Sequence, residues 1–288
     1  MSFVLEPRGQ GVDLVVTGDW SPAAREALES GRADGLVLNY AKGFREQPID
    51  FINGLPIRKL DLLARSVSDL SPVYSLGSTL QELRVQSDPR AVIELEGLPR
   101  VRTLAASWPQ VRASILFAPQ IEDLALPSYS EPNLEPLSAL TSLTSLVMKE
   151  RPKLRSLDGL EAFPWLLRLG VFLASGLTDI GALERSQPPA LQVLQLQSCK
   201  KITDIAPVAG CVSLNFLDLS EGGEILSVAP VSDLVNLERL YLYESTRVAD
   251  GDLGPIARLP KLKDFRMQNR RGYSPSVKEI QEIIARRA

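Results

Sequence analysis

Two side chains that carry much of protein chemistry are scarce in this sequence. Histidine is absent, and the only cysteines are Cys199 and Cys211. Because histidine is the commonest general base and metal ligand, catalytic arrangements that depend on it are impossible here. Two cysteines are too few for a disulfide framework. We therefore predict no enzyme activity, no catalytic residues, no metal and no cofactor, and we expect both cysteines to be buried free thiols.

Long apolar runs and an excess of positive charge are also lacking. Nowhere do about 18 apolar residues follow one another, so we expect no contact with a membrane. Residues 1–8 do not combine a basic start with an apolar stretch, as a signal peptide would. The net charge is -3, whereas a general nucleic-acid binder is usually basic. These absences favour a cytoplasmic protein that binds no nucleic acid.

What the sequence does contain is a repeat. Apolar residues occupy the first, fourth and sixth places of the segment that begins Leu191, Leu194, Leu196. The same triplet occurs about 11 times, with starts roughly 20 to 25 residues apart. The other triplets start at Ala33, Ile57, Leu80, Val101, Ile121, Leu143, Leu166, Leu214, Leu237 and Leu262. The second half of the unit also recurs, and its proline forbids a long helix there.

This pattern resembles the leucine-rich-repeat family over residues 33–270, in the short-repeat subclass of bacterial internalins and phosphatase-regulator-like proteins. The resemblance implies an α/β fold, a right-handed solenoid or horseshoe with a parallel β-sheet along its concave side. The family usually carries Asn or Cys at the ninth place, where only Cys199 fits here. The other turns must therefore satisfy their backbone groups through different contacts.

Both ends of the repeat array carry signs of a cap. Residues 1–32 are predicted to form an N-terminal cap, with a strand from Leu14 and a helix that starts after Ser21 and ends at Gly31. A separate effector segment is the alternative for these residues. Residues 271–288 are predicted to form a C-terminal capping helix, because apolar side chains recur on one helical face from Val277 to Ile284.

A candidate binding surface follows from the alternation of side chains along a strand. With places one, four and six buried, places three, five and seven point outward along the sheet. In the later repeats these places carry large aromatic or charged side chains, which interface centres enrich. The predicted partner-binding residues are Phe172, Val193, Phe216, Arg239, Tyr241 and Tyr243. A ladder that only stabilises the sheet is the alternative interpretation, and Trp108 with Leu63 is a second candidate surface.

These features predict a non-catalytic scaffold that binds a protein partner through its concave face, as a monomer. A narrower alternative is an intracellular inhibitor or immunity protein that occludes an enzyme or a toxin. A structural or cell-surface adhesion module is a third possibility, but it requires an export signal that the sequence does not display.

Overall fold

The structure, a computed structural model, describes residues 2–45 and 48–287. The chain divides into two compact units, residues 1–126 and 127–288. Each unit is built from short parallel strands that alternate with short helical turns.

In the first unit, an antiparallel hairpin leads into parallel strands. Strand β1 (Phe3–Arg8) pairs with β2 (Gly11–Val16), which continues in parallel to β3. The remaining strands follow in chain order with parallel pairing: β3 (Gly35–Asn39), β4 (Lys59–Leu63), β5 (Glu82–Gln86), β6 (Thr103–Ala105) and β7 (Asp123–Pro127). The α-helices are α1 (Pro22–Glu29) and α2 (Trp108–Val111), and 3-10 turns cover Tyr40–Lys42, Asp50–Ile52, Ser71–Leu76, Leu95–Gly97 and Ile115–Phe117.

The second unit repeats the parallel arrangement. Its main strands are β8 (Ser145–Lys149), β9 (Arg168–Val171), β10 (Val193–Gln195), β11 (Phe216–Asp218), β13 (Arg239–Leu242) and β15 (Asp264–Met267). A small parallel pair joins β12 (Glu224–Ile225) to β14 (Arg247–Val248). The helices are α3 (Ala182–Ser186), α4 (Gly254–Arg258) and α5 (Val277–Ala285), and 3-10 turns cover Glu135–Leu137, Leu160–Ala162, Ala206–Gly210 and Ala229–Asp233.

The apolar triplets form the core, as predicted. Leu191, Leu194 and Leu196 are at most 1% exposed. Because the strands pair in register, the fourth place of one repeat meets the fourth place of the next, so that Leu194 lies between Leu169 and Leu217. This stacking buries leucine on leucine and explains why a sequence period of about 20 to 25 residues yields a parallel sheet. Cys199 and Cys211 are buried free thiols, which confirms that prediction.

The turns without Asn or Cys at the ninth place are closed by other side chains. Thr246 is fully buried, donates to the Leu219 carbonyl over 2.8 Å and accepts from the Gly222 amide over 2.9 Å. Tyr129, also fully buried, donates its hydroxyl to the Asn133 carbonyl over 2.8 Å. The sequence-based expectation of substitute contacts is therefore confirmed at these positions.

In six repeats the residue at the eighth place has a left-handed backbone conformation, although it is not glycine. The φ angles lie between 54° and 64° at Ser128, Glu150, Leu173, Ser198, Glu221 and Glu244. A left-handed residue with a Cβ costs about 1 kcal/mol or more, so each of these turns carries local strain. The recurrence shows that the repeat geometry, and not the residue type, imposes this conformation.

The two ends contain the predicted helices. Helix α1 starts at Pro22 with Ser21 as N-cap, and Gly31 follows it with a φ of 74°. Helix α5 starts at Val277, just after a capping box formed by Ser276 and Glu279. The strand predicted from Leu14 is β2, whereas the outer strand β1 was not predicted, because its burial pattern is mostly exposed and gives no apolar alternation. Among the described residues no helix is long and apolar enough to cross a membrane.

Candidate functional site

The six predicted binding residues lie on one face of the second unit. Strands β9, β10, β11, β13 and β15 pair in register, so residues at the same repeat place form rows across the sheet, about 4.8 Å per strand. The third-place row is Arg168, Val193, Phe216, Arg239, Asp264, and the fifth-place row is Gly170, Gln195, Asp218, Tyr241, Arg266. We call the surface formed by Phe172, Val193, Phe216, Arg239, Tyr241 and Tyr243 the aromatic–arginine face.

Phe216 is the packed centre of this face. The Tyr241 ring meets it edge-on, with centroids 4.9 Å apart, and the Arg239 guanidinium lies 4.4 Å from its centroid. These neighbours leave Phe216 only 9% exposed. Phe216 occupies an outward place of its strand, yet cross-strand neighbours cover its ring. Phe216 packs against Tyr241 and Arg239 and offers little exposed area to a partner.

Tyr241 is held from the opposite side by an ion pair. Its hydroxyl donates to Asp264 Oδ2 over 2.6 Å, and Arg266 lies 4.5 Å from its ring centroid while pairing with the same carboxylate at 3.0 Å. The hydrogen bond to Asp264 raises the pKa of Tyr241, and the Arg266 guanidinium lowers the pKa of Asp264. Tyr241 is thus a neutral donor fixed in one orientation.

The accessible part of the face lies around Phe172 and Tyr243. Tyr243 is 49% exposed, and Phe172 is half-buried. The Phe172 ring lies over Gly170, where an added Cβ would come within 2.9 Å of the ring, and Lys149 Nζ is 5.9 Å from the ring centroid. Val193 is half-buried and lies between Arg168 and Phe216 in the third-place row. The structure therefore places all six predicted residues on one face but gives them different accessibilities.

The second candidate surface, Trp108 with Leu63, is not formed. Trp108 is only 3% exposed and Leu63 is half-buried. The reason is local: Ser107 is the N-cap of α2 and Trp108 is its first residue, with its side chain in the core. The expectation of an exposed tryptophan at this position is wrong.

Sequence reasoning missed two residues that complete the face. Asp264 and Arg266 occupy outward places of β15 and lock Tyr241, yet neither was selected. The repeat register could have identified them, because Tyr241 and Arg266 occupy the same repeat place on adjacent strands. Opposite charges two residues apart on one strand, beside an aromatic residue on the next, indicate such a cluster.

The chemistry of this face suits recognition. Aromatic rings can bury apolar area, and guanidinium groups can donate hydrogen bonds. Within residues 2–45 and 48–287, no group of three or more Cys, Asp or Glu side chains is arranged to hold a metal ion.

The fold has clear counterparts among solved structures. An internalin (inlF) from Listeria monocytogenes matches with a TM-score of 0.64 at 16% identity, over 90% of this chain and 83% of that one. The fold is that of the leucine-rich-repeat proteins. A TDR receptor matches with a TM-score of 0.59 at 13% identity, over 88% of this chain and 45% of the receptor. Mouse RP105, solved in complex with MD-1, matches with a TM-score of 0.56 at 18% identity, over 88% of this chain and 45% of that one.

No family model and no curated protein matches the sequence. The predicted leucine-rich-repeat fold is confirmed by the structural likeness, while the internalin-like subclass stays a prediction. At 13% to 18% identity, this likeness shows the fold.

Proposed function

We propose that this leucine-rich-repeat protein binds a protein partner through the aromatic–arginine face and catalyses no reaction. One observation carries the proposal: arginine, tyrosine and phenylalanine side chains from three neighbouring strands, β11, β13 and β15, are packed into one cluster, with Tyr243 and Phe172 accessible on the same face. Residues of these types dominate binding energy at protein interfaces. Side chains already held in place lose little further entropy when a partner binds.

The accessible residues provide the test. A displayed library of peptides of about 12 random residues is selected on the immobilised full chain, and the selected peptides are then measured against variants. Phe172→Ala with Tyr243→Ala should weaken binding roughly thirtyfold, which corresponds to about 2 kcal/mol. The control pair, Phe117→Ala with Trp165→Ala, removes side chains that are 61% and 66% exposed but lie outside the face.

The control pair should bind as tightly as the wild type. Unchanged urea unfolding curves would verify that both double variants are folded. If the selected peptides bind the Phe172 and Tyr243 variant as well as the wild type, the assignment of this face is refuted.

A further inference from the structure

Three cations on or beside the aromatic–arginine face form no ion pair with another described residue. Among the described residues, no carboxylate lies within ion-pair distance of Lys149, Arg168 or Arg239. Arg168 donates to the Gln195 amide oxygen over 2.8 Å, and Lys149 faces the Phe172 ring. All three side chains are exposed, in a chain whose net charge is -3. The face thus presents three exposed cations that form no ion pair with a described residue.

Arg239 is already oriented to receive a carboxylate. Its guanidinium lies 4.4 Å from the Phe216 centroid, and Phe216 is itself covered. A guanidinium stacked on a ring keeps its in-plane N–H donors free, and that fork matches the two oxygens of a carboxylate. The structure therefore places an exposed guanidinium beside the packed centre of the face.

The acids near these cations are engaged or lie at the border. Asp218 is only 7% exposed and accepts the Ser220 amide, and Asp264 is paired with Arg266. Along one edge, at the eighth repeat place, lie Glu150, Glu221 and Glu244. These three carboxylates repel any anion at this edge. A phosphate backbone carries a charge on every nucleotide, so it is disfavoured more strongly than a peptide with a few spaced carboxylates.

Resting on the proposed function, we propose that the partner presents an acidic segment in extended conformation, with apolar side chains between its carboxylates. Arg168 and Arg239 lie on β9 and β13, three strand steps or roughly 14 Å apart. About four extended residues span that distance. One carboxylate then pairs with Arg239 and another with Arg168 or Lys149, while apolar side chains contact Phe172 and Tyr243.

Three displayed libraries of about 12 residues test this charge preference. They are identical except at positions 4 and 8, which are both Glu, both Gln or both Lys. On the wild-type chain the Glu library should be recovered about tenfold more than the Gln library, since two charge-assisted contacts are added. On the variant Lys149→Gln, Arg168→Gln, Arg239→Gln, the Glu and Gln libraries should be recovered equally.

A matched control removes the same charge elsewhere. Lys153, Lys200 and Lys201 are exposed and lie in the loops that follow the strands, so changing all three to Gln should keep the preference for Glu. Thermal melting verifies that both triple variants are folded. Loss of the preference in this control would show that net charge, and not the face, attracts the peptide, and would overturn the inference.

The other outcomes separate the inference from the function on which it rests. If Glu and Gln libraries are recovered equally but recovery requires Phe172 and Tyr243, the acidic partner is wrong and the binding face stands. If recovery requires neither residue, both proposals fail. A fluorescent polyuridine of about 12 nucleotides is the last probe. Binding of that probe, abolished by the Lys149, Arg168 and Arg239 substitutions, would assign the face to single-stranded nucleic acid instead.

Discussion

Replacing Phe216 by alanine tests whether the centre of the aromatic–arginine face stabilises the fold. A phenylalanine side chain buries on the order of 150 Å² or more, and Phe216 is 9% exposed. Alanine retains part of that area, so about 100 Å² is lost, equivalent to about 2.5 kcal/mol. Loss of the Arg239 contact at 4.4 Å adds about 0.5 kcal/mol. We expect the free energy of unfolding to fall by about 3 kcal/mol.

The assay is urea unfolding followed by far-ultraviolet circular dichroism, with Tyr243→Ala as the matched control. Tyr243 belongs to the same face but is 49% exposed, so its replacement should lower the free energy of unfolding by less than about 1 kcal/mol. Equal effects of the two substitutions would refute the reasoning. They would mean that the cover provided by Arg239 and Tyr241 contributes nothing to stability.

Three further outcomes follow from the turns and the cysteines. Glu244→Gly should raise the free energy of unfolding by about 0.5 kcal/mol in a urea titration, because relief of the strain at a φ of 58° outweighs the entropy cost of glycine. Thr246→Val should lower the free energy of unfolding by about 2 kcal/mol and lower the melting temperature, because the Gly222 amide loses its acceptor. Thr246→Ser should preserve this stability, because serine keeps the hydroxyl. Equal melting temperatures of the two variants would contradict the role assigned to this hydroxyl. Burial raises the pKa of Cys199 to about 11 and of Cys211 to about 12, so both stay protonated thiols and should resist a thiol reagent at pH 8 until urea is added; rapid labelling of the native protein would contradict this.

The buried side of the sheet was predictable from sequence, whereas accessibility on its outward side was not. Residues such as Leu194 are placed by a period that the chain itself displays, so burial follows from the local pattern. Whether an outward residue is covered depends on the side chain beside it on the adjacent strand, which lies more than 20 residues away in the sequence. Phe216 and Tyr243 occupy equivalent kinds of position, yet Arg239 and Tyr241 cover only the first.

Trp108 illustrates a second limit of the same kind. It stands at the eighth place of its repeat, to which the triplet pattern assigns no direction, and a helix that begins there holds its side chain in the core. The start of a short helix depends on capping contacts such as those between Ser107 and Gln110, which periodicity does not register. Tertiary and capping effects therefore decide what the repeat pattern leaves open.

The outer strand β1 has a consequence for how copies of this chain meet. The Ser2 carbonyl accepts a hydrogen bond from the Thr17 amide, so the backbone groups of Ser2 point toward β2. In an antiparallel pair this direction alternates from residue to residue. The backbone groups of Pro7, five residues on, therefore point away from β2, to the unpaired side of β1. Proline has no N–H, so an incoming strand finds a gap in the row of donors there. Such interruptions protect an exposed sheet edge from templating aggregation. We therefore expect this edge to resist edge-to-edge association of copies, which is consistent with the monomer predicted from the sequence.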